Sequence, residues 1–324
     1  MKLHQKLRVG ITLAAARLLG RRVPLVVGWS LTKRCNLSCR YCGIWRKDHR
    51  ELTTAQVADL IRQMASAGTR RISFTGGEPL MREDIGEIIS HCRRHGITVG
   101  MNSNGLLVAD RIDELTGLDL LKLSLDGPRE VHDAVRGAGT FDGVMKAVAA
   151  ARSRGIKVNF LSVVSTENAH RLRELVSIAE DCGCRMTFQP ATPMELGGTA
   201  ENPITPRVEF VEVVRELIRM RAKHRAVATS LPVLHHFLTW PEGARITCAG
   251  GRVSCRVEPD GRVYHCGRVL VRGVTNDALA VGFRNAFLAL PPMACVNCWC
   301  APRLEMNFIY RLSPGAILNI VNSL

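Results

Sequence analysis

The stretch LTKRCNLSCRYCGIW, residues 31–45, places three cysteines four and three residues apart, with arginines among them. These cysteines are Cys35, Cys39 and Cys42. Four thiolates complete a structural zinc site or an iron–sulfur cluster. Three thiolates in one loop leave one iron of a four-iron cluster without a protein ligand, and an open coordination site is a reactive site. The alternative is a zinc ion that takes its fourth ligand from a distant part of the chain.

The composition is that of a globular protein with an unusual number of cysteines. The chain has 324 residues, of which 46% are hydrophobic, 23% are charged and 12 are cysteine. No run approaches the roughly 18 apolar residues of a membrane span. Disulfide scaffolds are shorter than this chain, so clustered thiols here indicate metal binding. The net charge is +15, and residues 1–50 carry +11 of it (12 Lys and Arg minus one Asp), which favours an anionic partner.

From residue 25 onward, short β-rich apolar runs alternate with longer helical segments. The predicted strands are 25–31, 71–75, 98–102, 120–125, 157–164 and 185–189. The predicted helices between them are 54–67, 83–95, 108–117, 140–154 and 168–182, and a further helix covers 207–224. This alternation is typical of βαβ units with a parallel sheet. Six units predict an α/β fold, an incomplete parallel (β/α)6 TIM-like barrel whose functional groups follow the carboxyl ends of the strands.

Three further motifs follow predicted strands at that end of the sheet. FTGGEPL, with Gly76, Gly77, Glu78 and Pro79, follows the second strand. The motif MNSNG, which contains Asn104, follows the third, and SLDGP, with Ser124 and Asp126, follows the fourth. Glycines allow a ligand to approach the backbone closely, and Glu78 supplies a carboxylate for an ammonium group. Each motif taken alone is equally typical of an ordinary tight turn.

The four motifs in this order resemble the radical S-adenosylmethionine (radical SAM) superfamily. The resemblance implies that Cys35, Cys39 and Cys42 bind a [4Fe–4S] cluster whose open iron binds the amino and carboxylate groups of S-adenosylmethionine. It also implies that reductive cleavage gives a 5′-deoxyadenosyl radical, which abstracts a hydrogen atom from the substrate. The cofactor-binding residues implied are Tyr41, Gly76, Gly77, Glu78, Pro79, Asn104, Ser124 and Asp126.

The second cysteine group lies near the carboxyl terminus. Its spacing resembles the auxiliary-cluster domain (SPASM or twitch type) of one subgroup of the superfamily, and the resemblance assigns one auxiliary [4Fe–4S] cluster to Cys248, Cys266, Cys295 and Cys298. With Asp260 and Gly261 as the two central turn residues of a hairpin, Cys255 would lie opposite Cys266, about 5 Å away, and could replace Cys248. Cys300 could likewise replace Cys298. A structural zinc ion on the same thiols is the alternative.

These readings divide the chain into five parts. They are a basic amphipathic N-terminal helix (1–24), a partial barrel (25–205), a helical connector (206–246), an auxiliary-cluster domain (247–303) and an apolar tail (304–324). In the first part, Leu3, Leu7, Ile11, Ala14 and Leu18 share a helical stripe, with Leu13 outside it. The stripe fits either a helix packed under the barrel or an interfacial helix on an anionic membrane.

The substrate is the least determined part of the prediction. We expect a small metabolite, a lipid or a peptide, with flavodoxin or ferredoxin as the electron donor, in the cytoplasm or at the inner face of the membrane. About 24 residues precede the first strand, so no leader-binding domain is expected there. An RNA-modifying enzyme is one alternative, which the 5% aromatic content disfavours. A non-catalytic iron–sulfur or zinc redox sensor is another, which would leave the cofactor motifs without a role.

Overall fold

The structure is a computed structural model that describes residues 3–46, 49–191, 206–267 and 276–321. The side chains of residues 3–9, 320 and 321 fall outside this description, as does most of the predicted Pro- and Gly-rich connector (188–206).

Six parallel strands form the barrel wall in chain order. They are β1 (Val26–Thr32), β2 (Arg71–Gly76), β3 (Thr98–Ser103), β4 (Leu120–Ser124), β5 (Val158–Val164) and β6 (Arg185–Pro190). Each predicted strand boundary lies within one residue of the observed one. The predicted α/β architecture, an incomplete parallel barrel with a cysteine-rich C-terminal region, is confirmed.

Helices connect the strands. They are α1 (Leu3–Leu18), α2 (Thr54–Ser66), α3 (Ile85–Arg94), α4 (Arg129–Arg136), α5 (Thr140–Ser153), α6 (Leu172–Asp181), α7 (Arg207–Lys223) and α8 (Leu231–Phe237). The sequence did not predict α4. The predicted helix at 108–117 is wrong, because only Ile112–Leu115 forms a 3-10 turn. Its buried anchors Val108 and Leu115 are far apart, and Arg111 ties the turn to the carbonyl of Arg82 at 2.9 Å.

The C-terminal region continues the barrel sheet. Its elements are β7 (Ile246–Thr247), β8 (Ser254–Val257), β9 (Arg262–Tyr264), β10 (Asn276–Asp277), α9 (Ala278–Val281), α10 (Phe283–Leu288), β11 (Ala294–Cys295), α11 (Ala301–Tyr310) and α12 (Pro314–Val321). Strand β8 pairs in parallel with β1, and β9 pairs antiparallel with β8. On the other side, the Ala301 amide at the start of α11 donates to the Gln189 side chain at the end of β6, at 3.3 Å. The C-terminal region therefore contacts both edges of the six-stranded barrel wall.

The β8–β9 hairpin has a three-residue loop. The Gly261 amide donates to the Glu258 carbonyl, and the Glu258 amide donates to the Arg262 carbonyl, both at 3.0 Å. Gly261 has a φ of +88°. This is the loop type that ends on a left-handed residue. The ladder pairs Val257 with Val263, so Cys255 falls opposite His265. The expectation that Cys255 lies opposite Cys266 is wrong by one residue, and a one-residue shift turns a side chain to the other face.

Side chains alternate between the two faces of the barrel wall. Positions such as Phe74, Met101, Leu123, Phe160 and Phe188 point outward and are at most 1% exposed, in the core between the sheet and its helices. The alternate positions face the lumen. Along β2 to β6 they include Arg71, Ser73, Gly100, Asn102, Lys122, Ser124, Asn159 and Gln189.

Helix α1 packs with a different face from the predicted stripe. It buries Ala16, and Leu13 joins a small apolar cluster that includes Tyr310. The Tyr310 hydroxyl reaches the Ala16 carbonyl at 3.5 Å, an approach that the small alanine side chain allows. Ile11 and Leu18 of the predicted stripe are 65% and 73% exposed, and Leu3 and Leu7 lie outside the described side chains. Across the described residues, no helix has the length and apolar character needed to cross a membrane.

Candidate active site at the carboxyl end of the barrel

The cysteine loop and the glycine motif are held together by their backbones. The Gly77 amide donates to the Thr32 carbonyl and the Glu78 amide to the Arg34 carbonyl, both at 2.8 Å. A Cβ at Gly77 would lie 2.0 Å from the Arg34 carbonyl oxygen, which no side chain can do. At this position, therefore, glycine is required for contact with the cysteine loop, whereas the sequence suggested contact with a ligand.

The thiols of Cys35, Cys39 and Cys42 are partly exposed and close enough to influence one another electrostatically. Burial raises the pKa of Cys39 to about 11, and the neighbouring Arg136 partly opposes this. Two N–H donors point at the sulfurs: Asn104 Nδ2 lies 3.9 Å from Cys35 Sγ and Arg136 Nη1 lies 3.8 Å from Cys39 Sγ. Donors to sulfur are the usual surroundings of iron–sulfur thiolates.

The three thiols do not form a site for a single ion. Across the described residues, no three His, Cys, Asp or Glu side chains converge on one metal-ion position. Cysteines on a cubane cluster bind at its corners and lie farther apart than ligands of one ion. Three thiols in one loop are the donor set that a four-iron cluster with one open iron would take.

Glu78 supplies a buried carboxylate beside this loop. Its side chain is 1% exposed and accepts hydrogen bonds from the Asn104 amide at 2.7 Å, the Ser103 hydroxyl at 3.0 Å and the Leu80 amide at 3.2 Å. Burial raises the pKa of Glu78 to about 7 despite these donors. A buried carboxylate with such a pKa is one that a ligand ammonium group would stabilise in its charged form.

Asp126 is fully occupied by protein donors. Its Oδ2 accepts from Arg136 Nε at 2.7 Å and from the Tyr41 hydroxyl at 3.0 Å, and its Oδ1 accepts from the Val163 amide at 2.9 Å. Arg136 also donates to the Tyr41 hydroxyl. Asp126 and Tyr41 therefore anchor the cysteine loop to β4 and α4, whereas the resemblance implied direct cofactor contacts for both.

The remaining predicted cofactor residues differ in whether protein groups already occupy their side chains. Asn104 is tied to the cysteine loop, since its Nδ2 donates to Asn36 Oδ1 at 2.7 Å. Pro79 begins a 3-10 turn behind Glu78 and is buried. Ser124 is half-buried at the end of β4 and faces the lumen, and no hydrogen bond joins its hydroxyl to the described residues. Ser124 is thus the side chain that has kept its hydrogen-bonding capacity for a ligand.

The C-terminal thiols come together from separate elements. Electrostatic interactions connect Cys248 with Cys266 and Cys295, and connect Cys298 with Cys300, Cys295 and Cys248. The Gly250 amide donates to Cys248 Sγ at 3.3 Å, and Asn307 Nδ2 donates to Cys298 Sγ at 3.6 Å. Four thiols from three segments of the chain, with Cys295 and Cys298 in the same one, match the donor set of a complete four-iron cluster.

A buried arginine lies among these thiols. Arg303 Nη1 donates to the Ser254 hydroxyl at 2.9 Å. Burial alone would lower the pKa of Arg303, but Cys266, Cys300 and the other thiols raise it above its usual value. Arg303 is therefore a fixed positive charge against which thiolates and the negative charge of a cluster are stabilised.

Cys255 lies apart from this group. It is fully buried in the hydrophobic core on the outer face of β8, and burial raises its pKa to about 12. The other three cysteines also lie away from both groups: Cys92 is buried in α3, and Cys182 and Cys184 flank the turn between α6 and β6.

Sequence reasoning gave no role to Arg136 or Arg303. Arg136 lies eight residues beyond the SLDGP motif and ten residues from its partner Asp126, and α4 was not predicted. Arg303 follows Cys300 by three residues, which places both at the start of one helix. This closeness to clustered cysteines was the available signal for Arg303, whereas no cysteine lies near Arg136 in the sequence.

Two cavities lie at the opposite end of the barrel. One of about 490 Å³ is lined by Arg22, Arg62 and Arg284, near the amino ends of β1 and β2. In parallel barrels, functional groups gather at the carboxyl ends of the strands. We assign no role to this cavity.

A comparison with protein families places this barrel in a known class. Residues 29–179 match the Radical SAM superfamily. Mycofactocin maturase MftC of Mycobacterium ulcerans is 30% identical over 259 residues, which cover 76% of this chain and 69% of that protein. The chain belongs to the radical SAM superfamily and is an enzyme of it. Within the superfamily it falls in the subgroup with a C-terminal auxiliary iron–sulfur domain of the SPASM or twitch type.

Two other comparisons define the breadth of the group. The AdoMet-dependent heme synthase of Nitratidesulfovibrio vulgaris is 26% identical over 271 residues, 75% of this chain and 73% of that protein. SuiB of Streptococcus suis, solved with S-adenosylmethionine, has a TM-score of 0.70 and 17% identity over 89% of this chain and 71% of SuiB. The chain spans about two thirds, 65–71%, of the length of the maturases that it matches. The family uses a [4Fe–4S] cluster and S-adenosylmethionine, and members of this subgroup carry auxiliary clusters.

Proposed function

We propose that this enzyme reductively cleaves S-adenosylmethionine at the first cysteine group and uses the resulting radical on a substrate bound at the barrel mouth. One observation carries the proposal. A loop with three cysteines and no fourth is held by backbone hydrogen bonds against a motif whose buried carboxylate, Glu78, makes no ion pair with any described residue. The iron left open by three thiolates would therefore lie beside a carboxylate suited to an ammonium group.

Cys35, Cys39 and Cys42 would hold the first cluster. The Asn104 amide and the Arg136 guanidinium donate to two of the sulfurs, which stabilises the thiolate forms. Burial raises the pKa values of Cys35 and Cys39 in the free protein, so cluster binding has to displace the protons of these thiols. The Asp126–Arg136 pair fixes the loop geometry without adding net charge.

Glu78 would bind the amino group of S-adenosylmethionine, and the Ser124 hydroxyl would bind its ribose or carboxylate. Gly76 and Gly77 keep the motif close to the cluster loop. When bound at the open iron, S-adenosylmethionine supplies a 5′-deoxyadenosyl radical that abstracts hydrogen from carbon. The protein contributes orientation and the exclusion of water.

Cys248, Cys266, Cys295 and Cys298 would hold one auxiliary [4Fe–4S] cluster. Cys300 is exposed and also influences Arg303 and Cys298, so it is the remaining alternative to Cys298. Cys255 faces the core and has no place in this set. The auxiliary cluster would accept an electron from the substrate radical or bind the substrate, with flavodoxin or ferredoxin as the external donor to the first cluster.

The test uses anaerobically reconstituted, dithionite-reduced protein. We expect 5′-deoxyadenosine to form from S-adenosylmethionine and to be detected by chromatography, and Cys39→Ala to form none. Iron content and absorbance near 400 nm show whether the auxiliary cluster has been retained in the variant. Wild-type protein that holds its full iron content but forms no 5′-deoxyadenosine would contradict the proposal.

A peptide is the substrate class that we favour. Mycofactocin maturases match over 76–83% of this chain, and SuiB has also been solved bound to a precursor peptide, SuiA. A porphyrin-type metabolite is the second candidate, since a heme synthase matches over a comparable length. Incubation of the reduced holoprotein with each class, followed by mass spectrometry for a change in substrate mass, decides between them.

We also propose a peripheral contact with anionic membranes through α1. Leu18 and Leu19 are 73% and 69% exposed next to the exposed Arg17 and Arg21, a combination of apolar and basic side chains that suits an anionic lipid surface. The double variant Leu18→Ser, Leu19→Ser should lose sedimentation with phosphatidylglycerol vesicles at low salt and keep its iron content. Equal sedimentation of both proteins would contradict this contact.

A further inference from the structure

Two cations face the lumen of the barrel below the candidate active site. Arg71 lies at the start of β2 and Lys122 in the middle of β4, two residues before Ser124, and both point away from the core. Between them on β3 is Gly100, and Arg71 Nη2 lies 3.1 Å from the position that a Cβ there would take. The missing side chain lets the guanidinium extend across β3 towards β4.

Within the described part of the chain, neither cation contacts an acidic group. No hydrogen bond or ion pair joins the Arg71 guanidinium or the Lys122 ammonium to any residue in the described part of the chain. Asp119 attracts Arg71 only at longer range, and its Oδ2 accepts from the Val99 amide at 2.7 Å. Burial, followed by repulsion from Arg71, lowers the pKa of Lys122 to about 8.

The acid that acts electrostatically on Lys122 is Glu305, whose Oε2 is buried and has no hydrogen-bond partner among the described residues. Glu305 Oε1 accepts from the Ser230 amide at 2.7 Å. Burial raises the pKa of Glu305, which weakens it as a counter-charge. Half-buried cations without a close partner are costly to a fold, and neighbouring positions such as Ser73 and Gly100 are not acidic. A fold keeps such a pair where an anion from outside completes it.

The position of the pair relates it to both cysteine groups. Lys122 is the lumen-facing residue of β4 that comes before Ser124, so it lies deeper in the barrel. Cys300 of the second cysteine group also acts on Lys122 electrostatically. We propose that Arg71 and Lys122 bind an anionic oxygen group of the substrate, a carboxylate or a phosphate, in the lumen beneath the first cluster. The inference rests on the proposed function, because it takes the molecule that enters the lumen to be the one that reacts at the mouth. Peptides and porphyrins both offer carboxylates.

The test measures thermal unfolding of the reconstituted holoprotein with citrate, inorganic phosphate or chloride at constant ionic strength. Citrate or phosphate should raise the melting temperature of the wild type by about 2–4 °C more than chloride does. Lys122→Met should lose this response and should be more stable than the wild type without the anions, because a half-buried charge without a close partner has been removed. A larger response to citrate than to phosphate would identify a carboxylate, and the reverse a phosphate.

Lys223→Met, at an exposed position of α7, is the matched control and should keep the anion response. The inference is overturned if Lys122→Met responds like the wild type, or if it is less stable than the wild type while Lys223→Met is not. It is also overturned if a response appears only in Cys300→Ala, since the thiolate would then already neutralise Lys122. Formation of 5′-deoxyadenosine by the wild type is measured separately. A missing anion response therefore leaves the proposed function intact, and missing 5′-deoxyadenosine leaves the anion response intact.

Discussion

The two cysteine groups of this enzyme are built in opposite ways. The first consists of three residues within one loop, partly exposed, and held from outside by Asn104 and Arg136. The second is assembled from segments between residues 248 and 298, and it surrounds a buried arginine. The first group is therefore a local feature attached to the sheet, whereas the second depends on the fold of the whole C-terminal region.

The charge around each group differs in the same way. Arg136 beside the first group is paired with Asp126, so it adds no net charge. Arg303 beside the second group makes no ion pair with a carboxylate in the described residues, and thiols are its neighbours. A net positive charge raises the reduction potential of a nearby cluster. We expect the auxiliary cluster to be the easier of the two to reduce, as an electron acceptor should be.

The largest expected effect comes from the first group. Cys39→Ala should abolish formation of 5′-deoxyadenosine, at least about 1000-fold below wild type, because the cluster that binds the cofactor cannot assemble. About four irons per chain should remain on the auxiliary group. Chromatography and iron analysis measure the two quantities. Loss of both clusters in Cys39→Ala would show that the groups are not independent.

The second group should respond only at its own cluster. Cys266→Ala should lose about four irons per chain and keep those of the first group, while Cys255→Ala should keep the full iron content. The contrast follows from the hairpin register, which turns Cys255 into the core and away from Cys248. A loss of iron in Cys255→Ala equal to that in Cys266→Ala would contradict the ligand set proposed here.

The difference between the groups also explains what the sequence could predict. The six strands depend on residues close together in the chain, and each was found within one residue of its predicted bounds. The three cysteines of the first group also lie close together in the sequence, and their role as cluster ligands stays a prediction. The register of the β8–β9 hairpin was not predicted correctly. An Asp-Gly pair fits a two-residue loop as well as a three-residue loop that ends on Gly261. The hydrogen-bonding pattern, which composition does not reveal, decides between them.

Long-range contacts account for the other differences. The sequence marked Asp126 as a polar residue after a strand, but only the fold shows that Arg136, Tyr41 and the Val163 amide occupy its oxygens. In α1 the apolar spacing predicted a buried stripe of leucines, isoleucine and Ala14. In the structure Ala16 and Leu13 form the buried face instead, because they pack in the cluster that contains Tyr310. The positions of the lumen cations likewise depend on which face of each strand the helices cover, which is a property of the whole fold.

The buried pair beside the first group should control stability. Arg136→Met leaves Asp126 buried without its counter-charge, and we expect the free energy of unfolding to fall by about 3–5 kcal/mol. Arg40→Met is the matched control from the same region, because Arg40 pairs with Glu167 at the surface, where such pairs contribute about 0–1 kcal/mol. Denaturant unfolding of the holoprotein measures both. Equal losses in the two variants would remove the structural role given to Asp126.

Glu78 should make stability depend on pH. Its pKa is raised from 4.5 to about 7 in the folded protein, so the folded state holds a proton that the unfolded state releases over this range. Its contribution is fully present below pH 4.5 and is lost as the pH rises towards 7, by at most about 3 kcal/mol. Glu78→Gln should show a flatter profile than the wild type between these values when unfolding is measured at each pH. Parallel profiles would mean that Glu78 is charged throughout and has a cation that the structure does not show.

Ser124 should give the smallest effect, and it sharpens the contrast with Asp126 two residues away. Its hydroxyl has no hydrogen-bond partner among the described residues, so Ser124→Ala should leave the free energy of unfolding within about 0.5 kcal/mol of wild type. A single neutral hydrogen bond to the cofactor contributes about 0.5–1.5 kcal/mol, which predicts an S-adenosylmethionine dissociation constant about 2- to 13-fold higher.

Asp126→Asn should show the opposite pattern, with lower stability because its two donors from Arg136 and Tyr41 meet a weaker acceptor. If Ser124→Ala binds S-adenosylmethionine as tightly as the wild type, the ribose or carboxylate of the cofactor is held by other groups, and the free hydroxyl at the end of β4 belongs to the substrate above the lumen cations.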